Sequence, residues 1–184
     1  MVKMKIIITP NPILTTPSQT VEKIDKEVLD FIEGMKNTLL STTAHKGVGL
    51  AAPQVGKNWQ IFITKPYDKS KIRVFLNAEI VEKSKELTTS VPERKNPLEG
   101  CLSIPSIWGT VKRYQTMKLR YKTPDNRAHT QQFSGFMATI IQHEIDHLEG
   151  RLFPSRTLEQ KGKLYQAKKD TDGKESLEEM SFPI

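Results

Sequence analysis

The sequence predicts a mixed fold, α-helices with antiparallel β-strands, arranged about one helix equipped to hold a metal ion. Three observations carry this reading. Residues 143–147 spell H-E-x-x-H behind the apolar run Phe136-Met137-Ala138-Thr139-Ile140-Ile141, which suits a helix with a sheltered face. Ile24, Val28, Phe31, Ile32, Met35 and Leu39 recur at helical spacing. Residues 110–113, 117–122 and 128–133 alternate as antiparallel strands do, with Pro124-Asp125-Asn126 as a turn between the last two.

In chain order, residues 5–9 read as a short strand, followed by an irregular arm with Pro10, Pro12 and Pro17 that wraps the domain. Asp25 is the N-cap of a helix over 25–42, because a short polar side chain there satisfies a free N–H of the first turn. Gly34 weakens that helix without ending it. Residues 59–64 and 73–77 read as strands joined by the polar turn 66–71, and 78–83 continue the sheet after a bend. Residues 86–97, polar and carrying two prolines, read as a loop. The metal helix runs over 135–148 and stops at Gly150. A basic C-terminal helix with Lys161, Lys163, Lys168 and Lys169 is expected over 157–169, and a flexible charged tail beyond 170. The 184 residues fit a single domain over 1–184, without internal repeats.

Composition narrows the compartment and the partners. The net charge is +7, but basic residues are scattered among acidic ones without interleaved aromatics, so the charge reads as solvated surface first and RNA proximity second. The single cysteine, Cys101, excludes an intramolecular disulfide framework and fits a reducing compartment. No apolar run is long enough to span a membrane, and Pro10 interrupts the N-terminal apolar run too early for a signal peptide. A cytoplasmic protein is expected.

The chemistry concentrates on the metal helix. His143 and His147, four residues apart, share a face and can close on one ion. Glu144 projects beside that ion, where a carboxylate can take a proton from water and return it to a leaving nitrogen. A chance match is the bland alternative. Against it, two of only four histidines stand here behind an apolar run, and buried imidazoles need partners. Catalytic metal sites commonly use three protein ligands and leave a position open, and Cys101, between Gly100 and Leu102, can supply the third. Gln54 follows Pro53 in the stretch Gly47-Val48-Gly49-Leu50-Ala51-Ala52-Pro53-Gln54, where its amide can donate to a developing oxyanion. His45 and His129 read as surface residues.

Three stretches, Gly47 to Gln54, Glu99-Gly100-Cys101-Leu102-Ser103 and Gln142-His143-Glu144-Ile145-Asp146-His147-Leu148, together resemble the signature motifs of peptide deformylases, in order. The resemblance spans residues from about 10 to 155. It implies an α+β fold in which antiparallel β-sheets surround a central helix carrying the histidines. It implies a metal-dependent hydrolase that removes the formyl group from the N-terminal formyl-methionine of nascent polypeptides and releases formate. Cys101, His143 and His147 would be the ligands, to Fe2+ first, with Zn2+, Ni2+ or Co2+ as replacements. Glu144 would be the proton carrier, and the Leu102 N–H and Gln54 would meet the oxyanion. Gly49 and Gly100 would let an extended substrate come close, and Val48 would help line a methionine pocket. Arg113 is expected to pair with Glu99 or Asp146 and orient the ligand loop. Ser106-Ile107-Trp108 departs from the family, where a basic residue is common. Some relatives dock a C-terminal helix on the ribosome, which the lysines after Lys161 would suit; no membrane partner and a monomer are expected. Two other readings stay open, a zincin-type peptidase and a deformylase-like binding module.

Overall fold

The computed structural model describes residues 3–42, 47–88, 98–169 and 175–181. In chain order these form α1 (Lys26–Leu40), β1 (Gly49–Ala51), β2 (Ile61–Thr64), β3 (Arg73–Lys83), β4 (Leu87–Thr88), β5 (Glu99–Cys101), β6 (Ile104–Gly109), β7 (Arg113–Tyr114), β8 (Thr116–Lys122), β9 (Ala128–Ser134), α2 (Gly135–Leu148), α3 (Phe153–Glu159), β10 (Leu164–Lys169) and β11 (Glu175–Glu179). The fold is α+β. Every strand pair is antiparallel, in a five-stranded sheet β1-β2-β3-β8-β9, a four-stranded sheet β11-β10-β6-β5 and the pair β4-β7.

Strand periodicity decides which helix each side chain meets. Successive residues of a strand point to opposite faces. Leu50, Ile61, Ile63, Val74 and Leu76 therefore pack with the Val28, Phe31, Ile32, Met35 and Leu39 face of α1. The intervening Ala51, Phe62 and Phe75 pack with Ala138, Ile141, Ile145 and Leu148 of α2. The five-stranded sheet is thus held between the two helices, with Phe62 and Phe75 stacked at 4.7 Å on the α2 side. Both rings are fully buried. Truncating either to alanine costs about 3–5 kcal/mol.

Two of the three expected helices hold. Asp25 caps α1, its side chain accepting from the Val28 N–H at 3.2 Å. Helix α2 spans the expected residues, and the chain leaves it through Gly150 at φ +70. Three strand expectations change. Residues 5–9 form no strand but run extended across two motifs, the Ile7 N–H donating to the Gln54 carbonyl at 2.8 Å and the Thr9 N–H to the Ser103 carbonyl at 3.0 Å. Residues 104–109 form β6, and residues 110–112, expected within a strand, join it to β7. The expected loop over 86–97 includes the short β4, and its residues 89–97 lie outside the described residues, as does His45.

The C-terminal helix expected over 157–169 is displaced. Helix α3 covers Phe153–Glu159, with proline in its first turn, and Leu164–Lys169 is a strand. Pairing with β6 outweighs helix propensity there, since Leu164 then fills a cluster with Ile104, Val111 and Phe153. Glu175–Glu179, expected in a flexible tail, pairs with β10.

Candidate metal centre

Helix α2 and the β5–β6 hairpin bring the expected ligands together. The donor atoms of Cys101, His143 and His147 all lie within 4.8 Å of one another, and Cys101 Sγ stands 3.2 Å from His147 Nε2. The far side of His143 is held by the protein, with Nδ1 3.1 Å from Glu99 Oε2, which aims Nε2 at the shared point. A thiolate and two imidazoles suit a transition metal. Of the buried side-chain atoms without a hydrogen-bond partner among the described residues, two belong to this site, His147 Nδ1 and Glu144 Oε2. The donor set and the orphaned carboxylate oxygen beside it fit a divalent cation.

The electrostatics of these groups follow from burial and neighbours. Burial pushes the Cys101 thiol up, but the imidazoles of His147 and His143 outweigh it and bring it down to about 5. Burial disfavours charge on His143, yet hydrogen bonds to Cys101 and Glu99 hold its imidazole well above the ordinary value. Burial also dominates at Glu144, raising its carboxyl to about 7 against the opposing pull of both histidines. Uptake of a cation must therefore displace protons.

Gln54 is oriented by its own 3-10 turn. Its Oε1 accepts from the Ala51 N–H at 2.8 Å, which turns Nε2 toward Ser103 Oγ at 3.1 Å and Cys101 Sγ at 3.4 Å. The Ser103 N–H also donates to Cys101 Sγ, at 3.4 Å. Leu102, between them, packs its half-buried side chain against the α1 cluster.

The two glycines sit close to functional side chains. A Cβ on Gly49 would overlap the Glu144 carboxylate, so this glycine leaves the space that Glu144 occupies. A Cβ on Gly100 would lie 2.7 Å from the indole of Trp108, its cross-strand partner. Val48 packs against Phe136 and Ile140 of α2, one and two turns before His143 on the same face. His129 is exposed, stacked on Tyr121.

Arg113 pairs with both expected carboxylates. Its Nε and Nη2 each stand 2.8 Å from an oxygen of Glu99, and Nη1 is 2.6 Å from Asp146 Oδ2. Three features escaped the sequence reading. Glu99 bonds His143 as well as Arg113. Arg156 of α3 meets Asp146 from the other side. Gln142 closes on the β7 backbone, accepting from the Tyr114 N–H at 2.9 Å and donating to the Tyr114 carbonyl at 3.0 Å. Only the acidic and basic residue types hinted at the first two, since their pairing depends on how α2 and α3 pack.

The chain is similar to known proteins over most of its length. A family model described as polypeptide deformylase matches residues 3–163. A peptide deformylase of Pseudothermotoga lettingae is 37% identical over 149 residues, covering 81% of this chain and 80% of that protein. Peptide deformylase 1 of Bacillus cereus is 37% identical over 156 residues, covering 85% and 93%. Among solved structures, peptide deformylase from Thermotoga maritima superposes with TM-score 0.76 at 30% identity, covering 85% of this chain and 98% of that one. A peptide deformylase from Synechococcus elongatus in complex with actinonin gives TM-score 0.74 at 33% identity, covering 83% and 78%. With the match running across all three motifs and the metal helix, the chain belongs to the polypeptide deformylase family.

Proposed function

We propose that Cys101, His143 and His147 hold one divalent ion, Fe2+ first, and that Glu144 carries the proton of an amide hydrolysis beside it. The family is metal-dependent, and the chain is an enzyme that removes the formyl group from the N-terminal formyl-methionine of nascent polypeptides, releasing formate. The observation that carries the residue assignment is the convergence of three donor atoms within 4.8 Å, with the buried Glu144 carboxylate alongside. Zn2+, Ni2+ or Co2+ can occupy the same thiolate–imidazole set. A bound ion supplies Lewis-acid polarisation and acidifies water.

The remaining work falls to the chain's own residues. Glu144 accepts the proton of the attacking water and delivers it to the departing amine nitrogen. Its carboxyl, raised to about 7, exchanges that proton near neutrality in either direction. The Gln54 Nε2–H, already aimed at the centre, and the Leu102 backbone N–H donate to the oxyanion as it forms. An extended substrate pairs along β1 and β5 near Gly49 and Gly100, the edge strands of their sheets. Val48, packed on Phe136 and Ile140, offers an apolar surface to the methionine side chain. Trp108, over Gly100, then takes the place of a basic residue at the substrate's edge.

We read the chain as one domain acting as a cytoplasmic monomer. Among the described residues, no helix is long and apolar enough to cross a membrane. For a ribosome contact the C-terminal segment offers a hairpin in place of a helix, with Lys163 paired to Glu179 and Lys168 to Glu178. Unchanged ribosome co-sedimentation after removal of residues 164–184 would sink that contact.

The test is formate release from a formyl-methionyl peptide by anaerobically purified, metal-loaded protein. Glu144→Ala should lower the rate about 10²–10⁴-fold with metal content unchanged. A fully loaded parent that releases no formate would overturn the reading.

A further inference from the structure

Asp146 lies on α2 between the two histidines' turn and α3, and its carboxylate is shared by two guanidinium groups. Arg113 Nη1 is 2.6 Å from Oδ2, while Arg156 Nε is 3.1 and 3.2 Å from the two oxygens and its Nη2 also donates to Oδ1. Arg113 in turn grips Glu99, and Glu99 Oε2 is the atom that meets His143 Nδ1. Charges therefore alternate without a gap from α3 to the imidazole. Side-chain exposure falls from 28% at Arg156 to 5% at both Asp146 and Arg113.

We propose that Arg156 is a positioning residue for the metal centre, acting on His143 through Asp146, Arg113 and Glu99. The physical reason is competition for Arg113. One guanidinium serves two carboxylates, and the division between them depends on how far each is neutralised elsewhere. Arg156 shares the Asp146 charge by taking both of its oxygens, which leaves the Nε–Nη2 fork of Arg113 to Glu99. Without Arg156, a buried Asp146 has one cation only, and water entering from the solvent side brings no positive charge to replace the other. Arg113 is then drawn toward α2, its fork on Glu99 opens, and Glu99 loses the position from which it aims His143.

A fork is needed at 156 as well, because it spans both oxygens of Asp146, which a lysine ammonium does as a point charge only. Arg156 borders a cavity of about 140 Å³ that Arg113, Tyr114, Gln142 and Asp146 also line. Its substitution therefore empties space next to solvent, not the packed core. A competing view makes Arg156 a tie between α3 and α2 alone, with no consequence at the metal.

The experiment is Co2+ affinity, by competition with a chromophoric chelator, for the parent, Arg156→Ala, Arg156→Lys, Asp146→Asn and the Arg156→Ala/Asp146→Asn double variant. Melting temperatures of the metal-free proteins run alongside. Partners that touch a ligand directly typically change affinity 10–100-fold, so the more remote Arg156→Ala should weaken Co2+ binding about fivefold. Arg156→Lys should recover part of that loss. The double variant should bind no more weakly than Asp146→Asn alone, since Arg156 acts through Asp146. An Arg156→Ala affinity within twofold of the parent, even with a lowered melting temperature, overturns the inference. So does a full additive loss in the double variant. The inference rests on the Cys101–His143–His147 centre; a parent that takes up no Co2+ overturns that centre instead.

Discussion

Glu99 on β5, half-buried, and Glu144 on α2, buried, are carboxylates in the field of the same histidine, and the molecule drives them in opposite directions. At Glu99 burial would raise the carboxyl, but the charge and hydrogen bonds of Arg113, with those of His143, reverse it and bring it to about 2. At Glu144 burial prevails and the carboxyl rises to about 7. The difference lies in partners. Glu99 has a two-pronged guanidinium and an imidazole, whereas Glu144 Oε2 has no hydrogen-bond partner among the described residues. A permanently charged carboxylate can orient a ring, and one poised near neutrality can move a proton. Separate environments thus assign separate roles to one residue type.

The largest expected effect breaks the pair on the Glu144 side. Its carboxyl is raised in the folded chain, so below the ordinary value near 4.5 it is protonated both folded and unfolded, and costs nothing. As pH climbs through about 7 the unfolded chain gains from ionisation that the fold resists. Above that window the metal-free fold carries a penalty of about 3 kcal/mol. Glu144→Gln removes the ionisable group. Metal-free Glu144→Gln should therefore melt higher than the parent at pH 8 and match it at pH 4, by scanning calorimetry. A difference independent of pH would show that the carboxyl is not perturbed as its surroundings indicate.

Gly49→Ala sharpens the same point by geometry. The new methyl would overlap the Glu144 carboxylate, and the far end of a side chain yields more easily than two backbones. Displacing a proton carrier by about 1 Å costs on the order of 100-fold in rate. Steady-state kinetics should show kcat falling by about that factor with metal content intact. An unchanged kcat would mean that Glu144 works from another position.

The sequence made the metal helix legible because H-E-x-x-H needs only helical geometry to place His143, Glu144 and His147. Cys101 and Gln54 were readable from their neighbours, although their meeting at Sγ is a fact of folding. Gly49 was readable as a site of close approach, but what approaches it is Glu144. Arg113 was expected to choose between Glu99 and Asp146, and it takes both, Nε meeting Glu99 and Nη1 meeting Asp146. Asp146–Arg156 was not legible, since it depends on α3 beginning at Phe153. Pro154 in the first turn of that helix was the available signal. For β10 and β11 the signal was the Asp172-Gly173 dipeptide between two polar-apolar runs, and helix-favouring lysines and alanine masked it.

On the Glu99 side the expected effect is smaller. Glu99→Gln keeps the shape of the side chain but leaves one oxygen where there were two. Kept at the Oε2 position, that oxygen still accepts from His143 Nδ1–H and from Arg113 Nη2, while the new amide N–H faces the other prong, Arg113 Nε. Arg113, fixed also by Asp146 at 2.6 Å, cannot turn Nε away from that amide, so residue 99 has to shift instead. His143 then has only a neutral acceptor, on a side chain pushed off the Arg113 fork, and metal affinity should fall about tenfold, the low end for a partner of a ligand. Co2+ titration reads this directly. Glu99→Gln should also flatten the acid limb of stability: the lowered Glu99 carboxyl contributes stability above about 4.5, and loses it as pH falls toward about 2. A variant with parental affinity but a flattened acid limb would leave Glu99 as a partner of Arg113 alone, and would move the orientation of His143 onto packing of its ring against Phe153, 6.2 Å away.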